Sequence, residues 1–217
     1  MTKGAIFDAD GTLLDSMSAW EKLGERYLHS IGIKVDEGLS DVIGSMTLDE
    51  SSVYLKEKYF LEDDAEKIGA DMMKLLRGFY CNEVEAKSGV PEFLEAVKKR
   101  RIPMVIVTFG ERELLLPALE RLGLNEYFDA ILTCTELRTS KKDPYIYLRA
   151  ADIIGAAPEN IAVFEDSLFA IETAGKAGFI TVAVEDASNI NEREVLKKTA
   201  VRYIKDFTEL SNNIFDA

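Results

Sequence analysis

The chain has 217 residues, 47% hydrophobic and 30% charged, a balance that suits a globular protein able to bury a substantial core. Lysine and arginine number 26 against 39 acidic residues, a net charge of −13 that disfavours nucleic acid and anionic membranes as partners. With a single histidine, no Gly-x-Gly and no Walker A loop, His-based triads, His-rich metal sites and the common nucleotide fingerprints drop out. Carboxylates, lysines and hydroxyls must carry any chemistry.

In chain order, residues 4–7 predict a short apolar strand ending at Asp8. Its apolar run is too short for a signal peptide, and no stretch approaches the ~20 apolar residues of a membrane span. Cys81 and Cys134 match no disulfide or zinc spacing, so both are expected reduced in a cytoplasmic protein. Trp20, Leu23, Tyr27 and Ile31 recur at helical spacing up to a stop at Gly32. Ile68, Met72, Leu75 or Leu76, and Phe79 repeat that pattern. Between them lie a loop around Gly44 and a helix near residues 50–59. Asp15 and Ser16 suit the cap of the first of these helices.

From Gly89 the pattern changes. Pro91 fits the first position of a helix over 91–100. Residues 103–108 predict a buried strand. A helix follows to Leu122, capped by Gly123, and Pro117 should kink or delay it. Further strands are expected at 129–133, 161–165 and 179–184, with helices at 145–154 and 167–177 between them. Tyr203 and Ile204 add a short strand before a terminal helix. Such alternation predicts a parallel sheet with helices on both faces, a Rossmann-like α/β domain of residues 1–15 and 88–217. Residues 16–87 form a small all-helical domain inserted after the first strand.

In open α/β sheets the site lies beyond the carboxyl ends of the strands. Asp8 and Asp10 end the first strand, Thr108 the next, the third leads toward Lys141, and Glu165-Asp166 end the fourth. Converging carboxylates repel one another unless a cation compensates. An all-oxygen set favours a hard ion such as Mg²⁺. Gly11 lets the backbone turn sharply, so Asp8 and Asp10 can reach one point. Alone, Asp-x-Asp-Gly reads as a turn, Thr108 as a strand end and Lys141-Lys142 as a solvated pair. Together, in this order, they read as a site. His29 falls on a helix surface or boundary. Trp20 and the Met72 to Phe79 stripe read as core. Glu111 and Arg112 read as an exposed helix start, with Arg112 near enough to Thr108 to reach a substrate.

Asp8-Ala9-Asp10-Gly11-Thr12-Leu13-Leu14-Asp15-Ser16 strongly resembles the first motif of the haloacid dehalogenase superfamily. Thr108 resembles its second, Lys141 three residues before Pro144 its third, and Val163-Phe164-Glu165-Asp166-Ser167 its fourth. The resemblance implies that Asp8 attacks phosphorus and that Asp10 is the acid and base. It implies that Asp8, the Asp10 carbonyl and Asp166 hold Mg²⁺ with Glu165 close by, and that Thr108 and Lys141 hold the phosphate. It also implies a helical cap over the site, with Thr47, Phe109 and Gly110 among the substrate contacts. The third motif reads Ser140-Lys141-Lys142, which keeps Lys142 as a rival. Phe109 stands where a small polar residue is common, and Ala170 where glycine is. Ser167 can cap the following helix and free the acids.

Dehalogenases and phosphonate hydrolases of the superfamily lack a carboxylate two residues past the nucleophile, so Asp10 points to phosphate esters. A β-phosphoglucomutase-like enzyme would show an arginine where Thr47 stands and a histidine near Trp20. The expected protein is therefore a Mg²⁺-dependent phosphatase of a small phosphorylated metabolite, a monomer or weak dimer, with a phosphomutase as alternative. A signalling receiver would carry its phosphoacceptor on the third strand. A non-catalytic protein on the same scaffold has no use for intact acids.

Overall fold

A computed structural model of the protein describes residues 2–44 and 46–210. The chain forms two compact units, one of Met1–Asp15 with Val84–Ala217, the other of Ser16–Glu83. The first strand, β1 (Gly4–Phe7), is buried along its whole length. The helical unit follows with α1 (Met17–Glu21), α2 (Leu23–Ser30), α3 (Leu39–Ile43), α4 (Leu48–Tyr59) and α5 (Ala65–Asn82).

The apolar stripes read from the sequence face its interior, where Leu23, Tyr27, Leu28, Leu55, Ile68, Met72 and Leu76 are buried. The helix expected from Trp20 to Ile31 is broken at Lys22. There the backbone leaves helical geometry, at φ −98° and ψ 13°. Gly24, two residues past the break, packs against Ile43, and a Cβ on it would stand 2.4 Å from Ile43 Cδ1. Ser16 takes the N-cap position of α1, but its side chain makes no cap bond. The loop expected around Gly44 contains α3, a helix too short for periodicity to reveal. Trp20 Nε1 donates to Tyr80 Oη at 2.8 Å.

The other unit continues with α6 (Val90–Lys99), β2 (Met104–Thr108), α7 (Arg112–Arg121), β3 (Ala130–Thr133), α8 (Cys134–Leu137) and α9 (Tyr145–Ile154). It ends with β4 (Ile161–Glu165), α10 (Leu168–Lys176), β5 (Ile180–Val184), α11 (Arg193–Thr199) and β6 (Arg202–Ile204). All six strands are parallel, in the order β3-β2-β1-β4-β5-β6, so the direction of winding reverses at β1. The strand order is that of the Rossmann-like α/β fold.

Helices cover both faces. Ile6, Val105, Val107, Ile161 and Val163 pack with Ile146, Tyr147 and Ala150 of α9. On the opposite face Phe7 stacks on Phe164 at 4.6 Å and 6°, and Phe93 of α6 meets both edge-on. Such coverage is why the strands read as unbroken apolar runs.

Helix α7 runs through Pro117 without the expected delay. The carbonyl of Glu113 loses its partner there, while Leu114, Leu115, Ala118 and Leu119 are buried and hold the helix in place. Pro91 occupies the second position of α6, one residue later than expected, because Gly89 at φ 81° starts the turn. Helices α8 and α11 lie in segments the sequence left as connections. Phe207–Glu209 forms a single 3-10 turn, and residues 211–217, where the rest of a terminal helix would fall, lie outside the described residues. No helix among the described residues is long and apolar enough to cross a membrane.

Candidate active site

The register of β1 with β2 and β4 brings Phe7 level with Ile106 and Phe164, so Asp8, Thr108 and Glu165 all emerge at the carboxyl edge beside the reversal point. Strand alternation then fixes direction. Asp8 and Glu165 share the parity of Ile6 and Val163, which face α9, and the turn preceding α9 carries Lys141.

Lys141 is buried, and its Nζ makes direct ion contacts with Asp8 Oδ1 and, at 2.5 Å, with Glu165 Oε1. Lys142 is exposed, its ammonium lying 5.8 Å from the centroid of the Phe169 ring. The other oxygen of Glu165 accepts from the backbone N–H and the hydroxyl of Ser167, both at 2.9 Å. Ser167 therefore stands at the N-cap of α10 without capping it by its side chain. Its hydroxyl is spent on Glu165 instead.

Asp8, Glu165 and Asp166, all buried, can each present one carboxylate oxygen within 4.8 Å of the others. Burial raises Asp8 to about 8, with Lys141 opposing the rise and Glu165 and Asp10 adding to it. Burial, then Glu165 and Asp8, push Asp166 well above the usual carboxylate range. Burial pulls Lys141 down, yet Asp8 and Glu165 outweigh it and hold the ammonium well above its ordinary value. Were all three carboxylates ionised, one ammonium would leave two negative charges unbalanced in a buried cluster. A hard divalent cation matches that deficit in charge and in donor type. The residues present therefore fit such an ion.

Asp10, Thr108 and Gly110 meet on the side away from α9. A Cβ on Gly110 would lie 3.2 Å from Asp10 Oδ2 and 3.4 Å from Thr108 Oγ1, and the Gly110 N–H donates to Thr108 Oγ1 at 3.0 Å. Phe109, between them in sequence, turns its ring outward and is 49% exposed. Two other residues have partners within their own units. Arg112, at the start of α7, donates to Glu136 through two bonds of 2.7 Å and to the Ile131 carbonyl. Thr47, in the helical unit, N-caps α4 in a reciprocal box with Glu50. Cys134 is buried and its thiol is pushed up by burial, which suits a packing role rather than a nucleophile.

Sequence reasoning missed a second layer. Lys87 Nζ donates to the Gly11 carbonyl at 2.8 Å, to the Glu185 carbonyl at 2.7 Å and to Asp186 Oδ2 at 2.7 Å. Asp186 in turn accepts from the N–H and hydroxyl of Ser188, and Asn189 reaches from the same turn to donate to Asp166 Oδ2 at 2.7 Å. The nucleophile turn and the Asp166 carboxylate are thus tied together through the end of β5. The sequence carries a signal for it: Asp186-Ala187-Ser188-Asn189 follows the fifth strand, at the same carboxyl edge as the acids of the first and fourth.

Comparison with known proteins agrees with this geometry. Residues 5–184 match the family described as haloacid dehalogenase-like hydrolase. The chain is 29% identical to the phosphorylated carbohydrates phosphatase of Thermotoga maritima, over 94% of each chain. It is 29% identical to the fructose-1-phosphate phosphatase of Escherichia coli, over 83% of this chain and 95% of that one. The crystal structure of a putative β-phosphoglucomutase from Thermotoga maritima superposes with a TM-score of 0.85 at 28% identity, covering 99% of this chain and 97% of the other.

Proposed function

The chain is an enzyme of the haloacid dehalogenase-like hydrolase family, and from that premise we propose that it is a Mg²⁺-dependent phosphatase of a small phosphate monoester, a sugar phosphate or similar metabolite. The observation that carries the proposal is the buried Lys141 joining Asp8 to Glu165, with Asp166 beside them, at the carboxyl edge of the sheet.

Asp8 attacks phosphorus, and the bond from phosphorus to the ester oxygen breaks as an aspartyl-phosphate forms. Asp10, two residues on, gives its proton to the departing oxygen. Its carboxylate then takes a proton from the water that attacks the same phosphorus, releasing phosphate and restoring Asp8. Thr108 and the ammonium of Lys141 hold the phosphoryl oxygens through the charge that develops. Asp8, the Asp10 carbonyl and Asp166 would hold Mg²⁺, with Glu165 oriented by Lys141 and Ser167 beside them. When bound, the ion supplies charge neutralisation of the phosphoryl group and of the carboxylate cluster. The helical unit, Ser16–Glu83, is read as a cap that sets the substrate, with the expected boundary at residue 87 falling a few residues inside the α/β unit. The relatives named for phosphorylated carbohydrates and fructose 1-phosphate support a small phosphorylated metabolite.

The similarity to a putative β-phosphoglucomutase keeps a phosphomutase as the second reading. Thr47, where that reading expects an arginine, is a helix cap, which favours release of phosphate. Phosphate release from a panel of sugar phosphates, with and without Mg²⁺, tests the proposal. Release should require the metal and disappear in Asp8→Asn. Turnover that survives Asp8→Asn would sink it, and isomerised sugar phosphate without free phosphate would make the mutase reading correct.

A further inference from the structure

Phe109 and Phe169 stand out because nothing in the chemistry above uses them. Phe109 sits between Thr108 and Gly110, and Phe169 lies in the first turn of α10. They are 49% and 37% exposed, among the most exposed phenylalanines described. Their rings meet edge to face, with centroids 6.1 Å apart at 61°. The Phe109 ring centroid lies 5.9 Å from Lys141 Nζ, the same ammonium that contacts Asp8.

A phosphoryl group held between Asp8 and Lys141 must point its ester oxygen away from Asp8, in line with attack and toward Asp10. Asp10 borders Gly110, so the alcohol part of the substrate emerges beside the Phe109 ring. We propose that Phe109 and Phe169 form an aromatic wall that receives the leaving group and selects esters whose alcohol presents a ring face, a sugar ring or an aryl ring, over open-chain alcohols.

The selection rests on shape and water. A ring face covers a contiguous apolar area of the wall at once and has few torsions to freeze. An open chain must give up several torsions to cover the same area, and it has no fixed face of C–H groups to lay on an apolar surface. Aromatic walls with a few convergent polar groups are the common build of small-molecule sites, and here the polar groups are those of the phosphoryl cradle. The inference rests on the phosphatase reading of the same site and narrows its substrate class.

The test uses the full chain and matched esters: glucose 6-phosphate and an aryl phosphate on one side, glucitol 6-phosphate and glycerol 3-phosphate on the other. Phe169→Ala should lower kcat/KM for the ring esters by about fivefold and clearly more than for the open-chain ones. Phe169→Leu, which keeps apolar area but not the ring edge, should fall between Ala and the parent. A loss of equal size on every ester, or no loss at all, would overturn the wall and leave the pair as packing. Calorimetric binding of the same esters to Asp8→Asn reads the wall without turnover. Tighter binding of ring esters there, with no hydrolysis by the parent chain, would support the wall and sink the phosphatase reading. Equal binding of both classes would overturn the wall even if the parent chain hydrolyses them.

Discussion

In the helical unit the charged pairs stay in water: Lys67 is 56% exposed while it bridges Asp63 and Asp71, and Lys58 meets an Asp36 that is 60% exposed. The α/β unit has solvated pairs of the same kind, such as Lys98 with Glu126, but it also draws two lysines inside, Lys141 at 3% and Lys87 at 12% exposure against carboxylates at 6% or less. Both units contain the same residue types, so composition does not separate them. The difference lies in what burial costs. A solvated pair forms and breaks with little consequence, whereas a buried charge must be matched by partners or by an ion. Charge buried at the carboxyl edge of a parallel sheet, against that cost, marks where the chemistry is.

The contrast breaks most visibly at Lys87. Lys87→Met leaves Asp186 buried without its ammonium, and the expected loss of unfolding free energy is about 3–5 kcal/mol, read by urea denaturation. Adding Asp186→Leu should return most of that stability. If the single variant unfolds like the parent, burial of this pair does not carry the energetic weight assigned to it.

The next effect is a pH dependence. The folded pKa of Asp8, about 8, lies above its ordinary value of 3.8, so the folded state binds the proton more tightly than the unfolded state. Without metal, this group's contribution to stability is fully present below the ordinary pKa and is lost as pH rises toward 8. Asp166, raised in the same direction, adds to the slope. Chelator-treated protein should therefore show a falling Tm between about pH 5 and pH 8, and Mg²⁺ should flatten or reverse that fall. A Tm that is flat with pH in the chelated protein, and unmoved by Mg²⁺, would contradict the charge deficit assigned to the cluster. The smallest effect belongs to the helical unit. Lys67→Ala should leave Tm within the scatter of replicate melts, because its partners remain solvated when it goes.

The same contrast explains what the sequence made legible. Buried parallel strands carry continuous apolar runs, so β1, β4 and α9 were placed to the residue and the acids at their ends followed directly. Lys141 and Lys142 are indistinguishable as neighbours in sequence. Only the turn before α9 decides which ammonium enters the cluster. Helix α3 and the break at Lys22 were out of reach for a different reason. Gly24, just past the break, packs against Ile43 of α3, a tertiary contact that local periodicity does not encode. Phe169 reads in sequence as one more apolar residue in a helix, and its exposure appears only once α10 is docked on the sheet. The strand-end position of Asp186 to Asn189 is legible in the sequence, but their partner Lys87, 99 positions before Asp186, is not.

The claim at the centre is that Asp8 takes the phosphoryl group covalently, and the most direct measurement traps it there. Asp10→Asn should still permit attack while slowing hydrolysis of the intermediate by roughly 10²-fold or more. Acid-quenched during turnover of an aryl phosphate with Mg²⁺, that variant should carry one phosphoryl group on the peptide containing Asp8. An unmodified Asp8 peptide, with phosphate released at the normal rate or the adduct found on another residue, would contradict the account.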